Sequence, residues 1–187
     1  MKKTLSIKNI CLCALFTALV AIGAFLKISI EPIAITFQLF FVTLSGMILG
    51  SKLGAVSCLT YMLIGLIGIP IFTQGGGIGY VLKPSFGYII GFIFGSFVAG
   101  LIIEKSSKLN YKALILSMLS CILVVYIIGI IYFYFIMRFH LGKEVTLKYI
   151  FINLFLLLIP GDLITGAIAV VIAKRVIPIV KKIGNNI

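Results

Sequence analysis

Long apolar runs follow one another along this 187-residue chain, with only short polar or glycine-rich breaks between them. A helix that crosses a bilayer needs about 20 mostly apolar residues, and stretches of that kind dominate the sequence. The charged fraction is 11% and the mean hydropathy +1.30, whereas soluble domains carry roughly a quarter charged residues. The pattern predicts an all-α integral membrane protein with six transmembrane helices in a single domain, residues 1–187. It leaves no room for a separate soluble domain. The expected helices are 7–26, 37–49, 53–69, 85–103, 113–137 and 149–176. The first is longer than the apolar core of a signal peptide, about 7–15 residues, so a retained helix is expected. The second is short for a spanning helix. The sixth is interrupted at Pro160-Gly161.

The formal net charge is +12. In a soluble protein that would suggest nucleic acid, but here the basic residues sit at the edges of apolar runs and form no stripe, so no nucleic acid is expected. With six helices both termini share one side. That side holds Lys2, Lys3, Lys8, Lys52, Lys105, Lys108, Lys112, Lys174, Arg175, Lys181 and Lys182; the other holds Lys27, Lys83, Arg138, Lys143 and Lys148. The more basic side is expected to be cytoplasmic, which makes the protein multi-pass with cytoplasmic N- and C-termini. The four cysteines, Cys11, Cys13, Cys58 and Cys121, lie in apolar segments without metal-ligand spacing and read as small packing residues.

Asp162 is the one acidic residue inside a long apolar segment. A central carboxylate costs about 2.5–3.5 kcal/mol on insertion scales and commonly faces a bundle interior or a watery cavity. It reads as a ligand contact or proton site, or else as the cap of the helix after Pro160. The segment Phe72-Thr73-Gln74-Gly75-Gly76-Gly77-Ile78-Gly79-Tyr80 is a flexible loop or a ligand wall, since glycine permits close backbone approach. Its spacing is not that of a nucleotide loop, and no GxxxxGK[ST] motif occurs. Lys83 either pairs with a ligand carboxylate or snorkels to the interface. Ala14 and Ala18 form a small-xxx-small pair on one face of the first helix, a helix-contact surface. Gly166, Ala169 and Ala173 are explained by close helix packing. Catalysis finds no support: His140 is the single histidine, a zinc site needs several ligands, and no second carboxylate lies in an expected span. No catalytic residue, metal site or cofactor is expected.

Five pieces in order complete the reading: Ile35-Thr36-Phe37-Gln38-Leu39-Phe40-Phe41; Gly46-x-x-x-Gly50-Ser51-Lys52-Leu53-Gly54-Ala55; Tyr61-x-x-x-Gly65-Leu66-Ile67-Gly68-Ile69-Pro70-Ile71-Phe72; the glycine segment with Pro84-Ser85-Phe86-Gly87-Tyr88; and Pro160-Gly161-Asp162-Leu163-Ile164. Together they resemble the BioY family, the biotin-specific S components of energy-coupling-factor (ECF) transporters. The resemblance implies an S-component-like bundle in the plasma membrane that binds biotin from outside. It also implies a transmembrane T subunit and two cytoplasmic ATPase subunits as partners, with Ala14 and Ala18 as the docking surface for the coupling subunit. Biotin then suits the residues. Asp162 accepts from the ureido N–H groups, and Asn153 or Gln74 serves the ureido carbonyl. Phe37, Phe72 and Tyr88 wall the rings, and Lys83 holds the carboxylate. Two positions depart from the family pattern. Thr165 stands where a lysine follows Gly-Asp-Leu-Ile, and Ser85-Phe86 stand where the family favours Thr-Gly. A standalone proton-coupled secondary transporter of a small organic acid or vitamin, using Asp162 as proton carrier, is the alternative reading. A structural subunit without a ligand is a third.

Overall fold

A computed structural model of the chain describes residues 7–28 and 35–185. Helix α1 (Ile7–Phe25) buries Cys13, Phe16, Thr17, Val20, Gly23 and Ala24, a stripe at three- and four-residue steps that faces the bundle. Its other faces expose Ile10, Leu15 and Ile22, as lipid-facing positions do. After α1 the chain forms a small antiparallel ladder, β1 (Lys27–Ile28) with β2 (Ile35–Thr36), pairing Lys27 with Thr36 and Ile28 with Ile35. The all-helical expectation contained no strand. Three β-branched isoleucines and threonines in this short connection favour extended backbone, and Lys27 Nζ anchors it to the Thr73 carbonyl.

Helix α2 (Gln38–Leu49) is buried at eight of its 12 positions. It sits between α1, α3, α4 and α7. At about 1.5 Å per residue it is near 18 Å long, short of a hydrocarbon core of about 30 Å. Gly46 allows it to lie against α4, because a Cβ there would meet the Ser96 carbonyl oxygen and stand 2.9 Å from Ala99 Cβ. The turn into α3 (Ser51–Leu66) passes through Gly50 at φ +85°, a left-handed conformation that glycine adopts without strain. The first turn of α3 is capped by Glu104 of α4 (Phe86–Lys105), whose carboxylate accepts from Ser51 N at 2.7 Å and Ser51 Oγ at 2.8 Å.

Helix α5 (Tyr111–Phe135) packs along α4 and continues as a π-helical turn, Ile136–His140. The last apolar stretch is divided differently from the expectation. A short helix α6 (Leu147–Ile150) leads into a π-helical segment, Phe151–Leu156, and then α7 (Ile159–Asn185). The irregularity therefore precedes Pro160 instead of falling on Pro160-Gly161. Proline is accepted in a helix's first turn, where its missing N–H has no intrahelical partner to lose. Among the described residues four helical stretches are long and apolar enough to cross a membrane: Ile7–Phe25, Phe86–Lys105, Tyr111–His140 and Lys148–Val180; α2 and α3 are shorter apolar helices. With α6 to α7 taken as one unit, the described residues form six helical units.

The two ends of the bundle differ. At the terminal end Lys8 Nζ reaches the Val180 carbonyl at 3.5 Å, joining α1 to α7, and Lys174 bonds the Leu109 carbonyl. The opposite end gathers the β ladder, the glycine-rich segment and the turn after α5. There Tyr132 of α5 donates to the Val81 carbonyl.

Candidate functional site

A cavity of about 60 Å³ lies toward the glycine-rich end of the bundle. The start of α2 contributes Thr36, Gln38 and Leu39, and the glycine-rich segment contributes Thr73, Gln74 and Tyr80. Helix α4 and its approach add Ser85, Tyr88, Ile89 and Phe92; α5 adds Val125 and Tyr126; Leu158 and Asp162 close the floor from the α7 side. The lining mixes apolar walls with convergent polar groups, and small-molecule sites combine the two.

Asp162 stands in the first turn of α7, where a carboxylate is favoured by the helix dipole. Its Oδ2 accepts from the Tyr126 hydroxyl at 2.6 Å. An ionised carboxylate has about four lone-pair positions, so one tyrosine leaves it able to take a ligand N–H. Tyr88 packs edge-on against Tyr126 with ring centroids 6.1 Å apart. Gly129 makes that seat possible, since a Cβ there would fall 2.8 Å from the Tyr88 ring. The Tyr88 hydroxyl is buried and has no hydrogen-bond partner among the described residues. Buried polar groups are nearly always paired, so a donor and acceptor beside Asp162 with no protein partner is what a polar ligand site presents.

The upper wall is tied to the scaffold. Gln38 Nε2 donates to Tyr61 Oη at 2.8 Å, and Tyr61 in turn donates to the Ile71 carbonyl at 3.1 Å. Gly77 N bonds the Gly65 carbonyl at 2.7 Å, pinning the glycine segment to the end of α3. Phe72 and Gly75 exchange backbone bonds of 2.9 and 3.3 Å around a tight turn, with Gly75 at φ +109°. That turn sets Thr73 and Gln74 on the cavity wall, with Thr73 Oγ1 2.8 Å from the Tyr80 hydroxyl. The segment is thus tied to the scaffold and lines the cavity instead of hanging as a loose loop.

Of the residues singled out in the sequence, Asp162, Tyr88 and Gln74 line the cavity. Lys83 is one step removed: its Nζ donates to Gln74 O and Oε1, each at 3.2 Å, and lies 5.0 Å from the Tyr80 ring centre. Phe72 is 2% exposed and stands behind the wall, 4.5 Å from the Tyr80 ring and against Gly65. Phe37 is 46% exposed and off the lining, because a helix that points Gln38 and Leu39 inward turns their predecessor away. Thr165 is also off the lining, its hydroxyl folded back to the Asp162 carbonyl at 3.2 Å. The Asn153 side chain lies outside the described residues. Ala14 and Ala18 are both exposed on α1, away from the stripe that packs inward. Tyr126, Gln38 and Ser85 line the cavity without having been singled out for it, and Thr73 and Tyr80 do so as members of the glycine segment. Gln38 carried a signal, an amide opening an apolar run; Tyr126 carried none.

The long apolar helices, gathered in one bundle with a pocket toward one end, define a membrane-embedded helical protein. Comparison with known proteins agrees. The BioY family model matches residues 1–182, and the chain belongs to the BioY family. It is 40% identical over 169 residues to a probable biotin transporter BioY of Pyrococcus horikoshii, covering 90% of this chain and 95% of that one. A probable biotin transporter BioY of Lysinibacillus sphaericus is 35% identical, with 94% and 89% covered. The crystal structure of the S-component for biotin from an ECF-type ABC transporter superposes with a TM-score of 0.77 at 30% identity, covering 94% of this chain and 93% of that one. These relatives are transporters, not enzymes.

Proposed function

We propose that this chain is the biotin-binding S component of an ECF transporter, capturing the vitamin for uptake and performing no chemistry on it. The observation that carries the reading is the cluster of Asp162, Tyr126 and Tyr88 at the floor of a cavity, in a chain of this family. Biotin brings two ureido N–H donors, a carbonyl acceptor, an apolar bicycle and a carboxylate tail. Asp162 accepts from the N–H groups, a charge-assisted bond about twice as strong as a neutral one. The Tyr88 hydroxyl and Gln74 are the donors within reach of the carbonyl. Ile89, Phe92 and Val125 take the bicycle, and the carboxylate runs toward Lys83. Asn153, Phe37, Phe72 and Thr165 stay with the site as assignments carried by the family resemblance, the last three acting from outside the lining.

In this reading the protein lies in the plasma membrane with both termini cytoplasmic, and the glycine-rich end faces out. Its exposed Ala14 and Ala18 dock the transmembrane T subunit, and two ATPase subunits supply the energy. The test is titration calorimetry of the purified, detergent-solubilised chain with biotin, with riboflavin and thiamine as controls. Selective biotin binding is expected, and Asp162→Ala is expected to weaken it about tenfold to a hundredfold, the size of a lost charged hydrogen bond. Unchanged affinity in that variant, or no biotin binding by folded protein, overturns the proposal.

A further inference from the structure

The cavity that holds the polar cluster is small. At about 60 Å³ it has space for a handful of waters, each needing about 10–15 Å³. Ligand sites usually measure about 300–1,000 Å³. A second cavity of about 450 Å³ adjoins it at the glycine-rich end, bounded by Gln74, Pro84, Met137, Leu141, Lys143 and Tyr149, together with Glu144 and Val145. Gln74, an exposed residue, belongs to both linings and so borders both spaces. The two Lys83 hydrogen bonds hold Gln74 in that position.

The charges at this end have a sign. Lys143 and Glu144 both line the outer cavity. Among the described residues, Lys27, Lys83, Arg138, Lys143 and Lys148 occupy the connections on this side, against Glu144. Topology does not account for them, since cations on the outer face work against the orientation that the terminal end sets. The surrounding connections, not the lining itself, carry the excess of cations, and an electropositive end of this kind concentrates anionic ligands and speeds their association.

We propose that the outer cavity is a separate capture site for an organic carboxylate, occupied before the inner cavity, with Lys143 as its cation and Gln74 as the partition the ligand displaces. The proposal rests on biotin being the ligand, and it assigns a residue and a step which that reading does not contain. Capture draws the carboxylate to Lys143. Displacement of Gln74 then joins the two spaces, and the uncharged end of the ligand passes to Asp162.

The experiment measures association and dissociation rates of radiolabelled biotin and of its uncharged amide, using the chain in lipid nanodiscs at low and high salt. Lys143→Gln is expected to slow biotin association about threefold to tenfold at low salt. The difference should fade at high salt, where charges are screened beyond about 3 Å at 1 M. Dissociation of biotin and association of the amide should stay as in the parent chain, and Lys143→Arg should restore the rate. Gln74→Ala is expected to speed association of both ligands by removing the partition. Unchanged biotin association in Lys143→Gln, an equal slowing of the amide, or unchanged association in Gln74→Ala overturns the capture site while leaving equilibrium biotin binding intact. A parent chain that binds no biotin overturns both readings together.

Discussion

Tyr88 and Tyr126 bring the same hydroxyl to the same cavity and leave it in different states. Tyr126 is committed to Asp162 at 2.6 Å, while Tyr88 has no partner among the described residues. Their removal should therefore separate stability from binding. Tyr88→Phe deletes an unpaired buried group, which costs about 1–3 kcal/mol to leave unmade. We expect the ligand-free melting temperature to hold or rise while biotin affinity falls about tenfold, measured by thermal shift and calorimetry on the same preparation. Tyr126→Phe strips Asp162 of its protein donor, and the ligand-free chain should lose about 1–3 kcal/mol, read as a lower melting temperature. Asp162 was legible because a carboxylate in an apolar run has few bland explanations. Tyr126 was not, because tyrosine is common in such runs and its partner lies 36 residues further along. Phe37 illustrates the converse: an aromatic ring next to a site motif looks like a wall, and one helical step decides whether it faces in or out.

At the scale of elements, the connections carry the information that hydropathy lacks. The α2–α3 turn depends on Gly50 for its backbone and on Glu104, 53 residues away, for its cap. Glu104→Ala should cost about 0.5–2 kcal/mol, the usual effect of a lost helix cap, seen as a drop in melting temperature. Biotin affinity should not change, because Glu104 caps the end of α3 opposite the cavity. Gly46→Val should do worse, since its side chain would be driven into the Ser96 carbonyl where α2 crosses α4, and overpacking of this kind costs about 1–3 kcal/mol. Helices α1, α2 and α4 begin and end within about two residues of their expected bounds, because long apolar runs bounded by polar breaks leave little freedom. The final stretch was less legible. Pro160 was the visible breaker, yet it is absorbed as an N-terminal residue, and the break falls on π-helical residues 151–156 that no single residue type announces.

At the scale of the whole molecule the question is how a bound vitamin reaches the other side. In the coupled reading, vesicles holding this chain alone should accumulate no biotin. Uptake should appear when T and ATPase subunits and ATP are added, and Ala14→Trp with Ala18→Trp should abolish it while leaving binding intact. In the alternative, Asp162 carries protons, and the chain alone imports biotin in ATP-free vesicles until the proton gradient is collapsed. Orientation has its own check. In a Cys11→Ser background, Lys143→Cys should react with an impermeant maleimide on intact cells, and Ser107→Cys should not. The sequence by itself determined the solvent, the helical class, the expected orientation and the one costly charge. Each of these follows from local composition, which the bilayer reads segment by segment. Only the tertiary structure decided which side chains share a cavity, that Gln74 borders two spaces, and that the buried Tyr88 hydroxyl has no partner among the described residues. Those are distances between residues on different helices, set by how closely the helices pack and how each is rotated, and no local pattern encodes them.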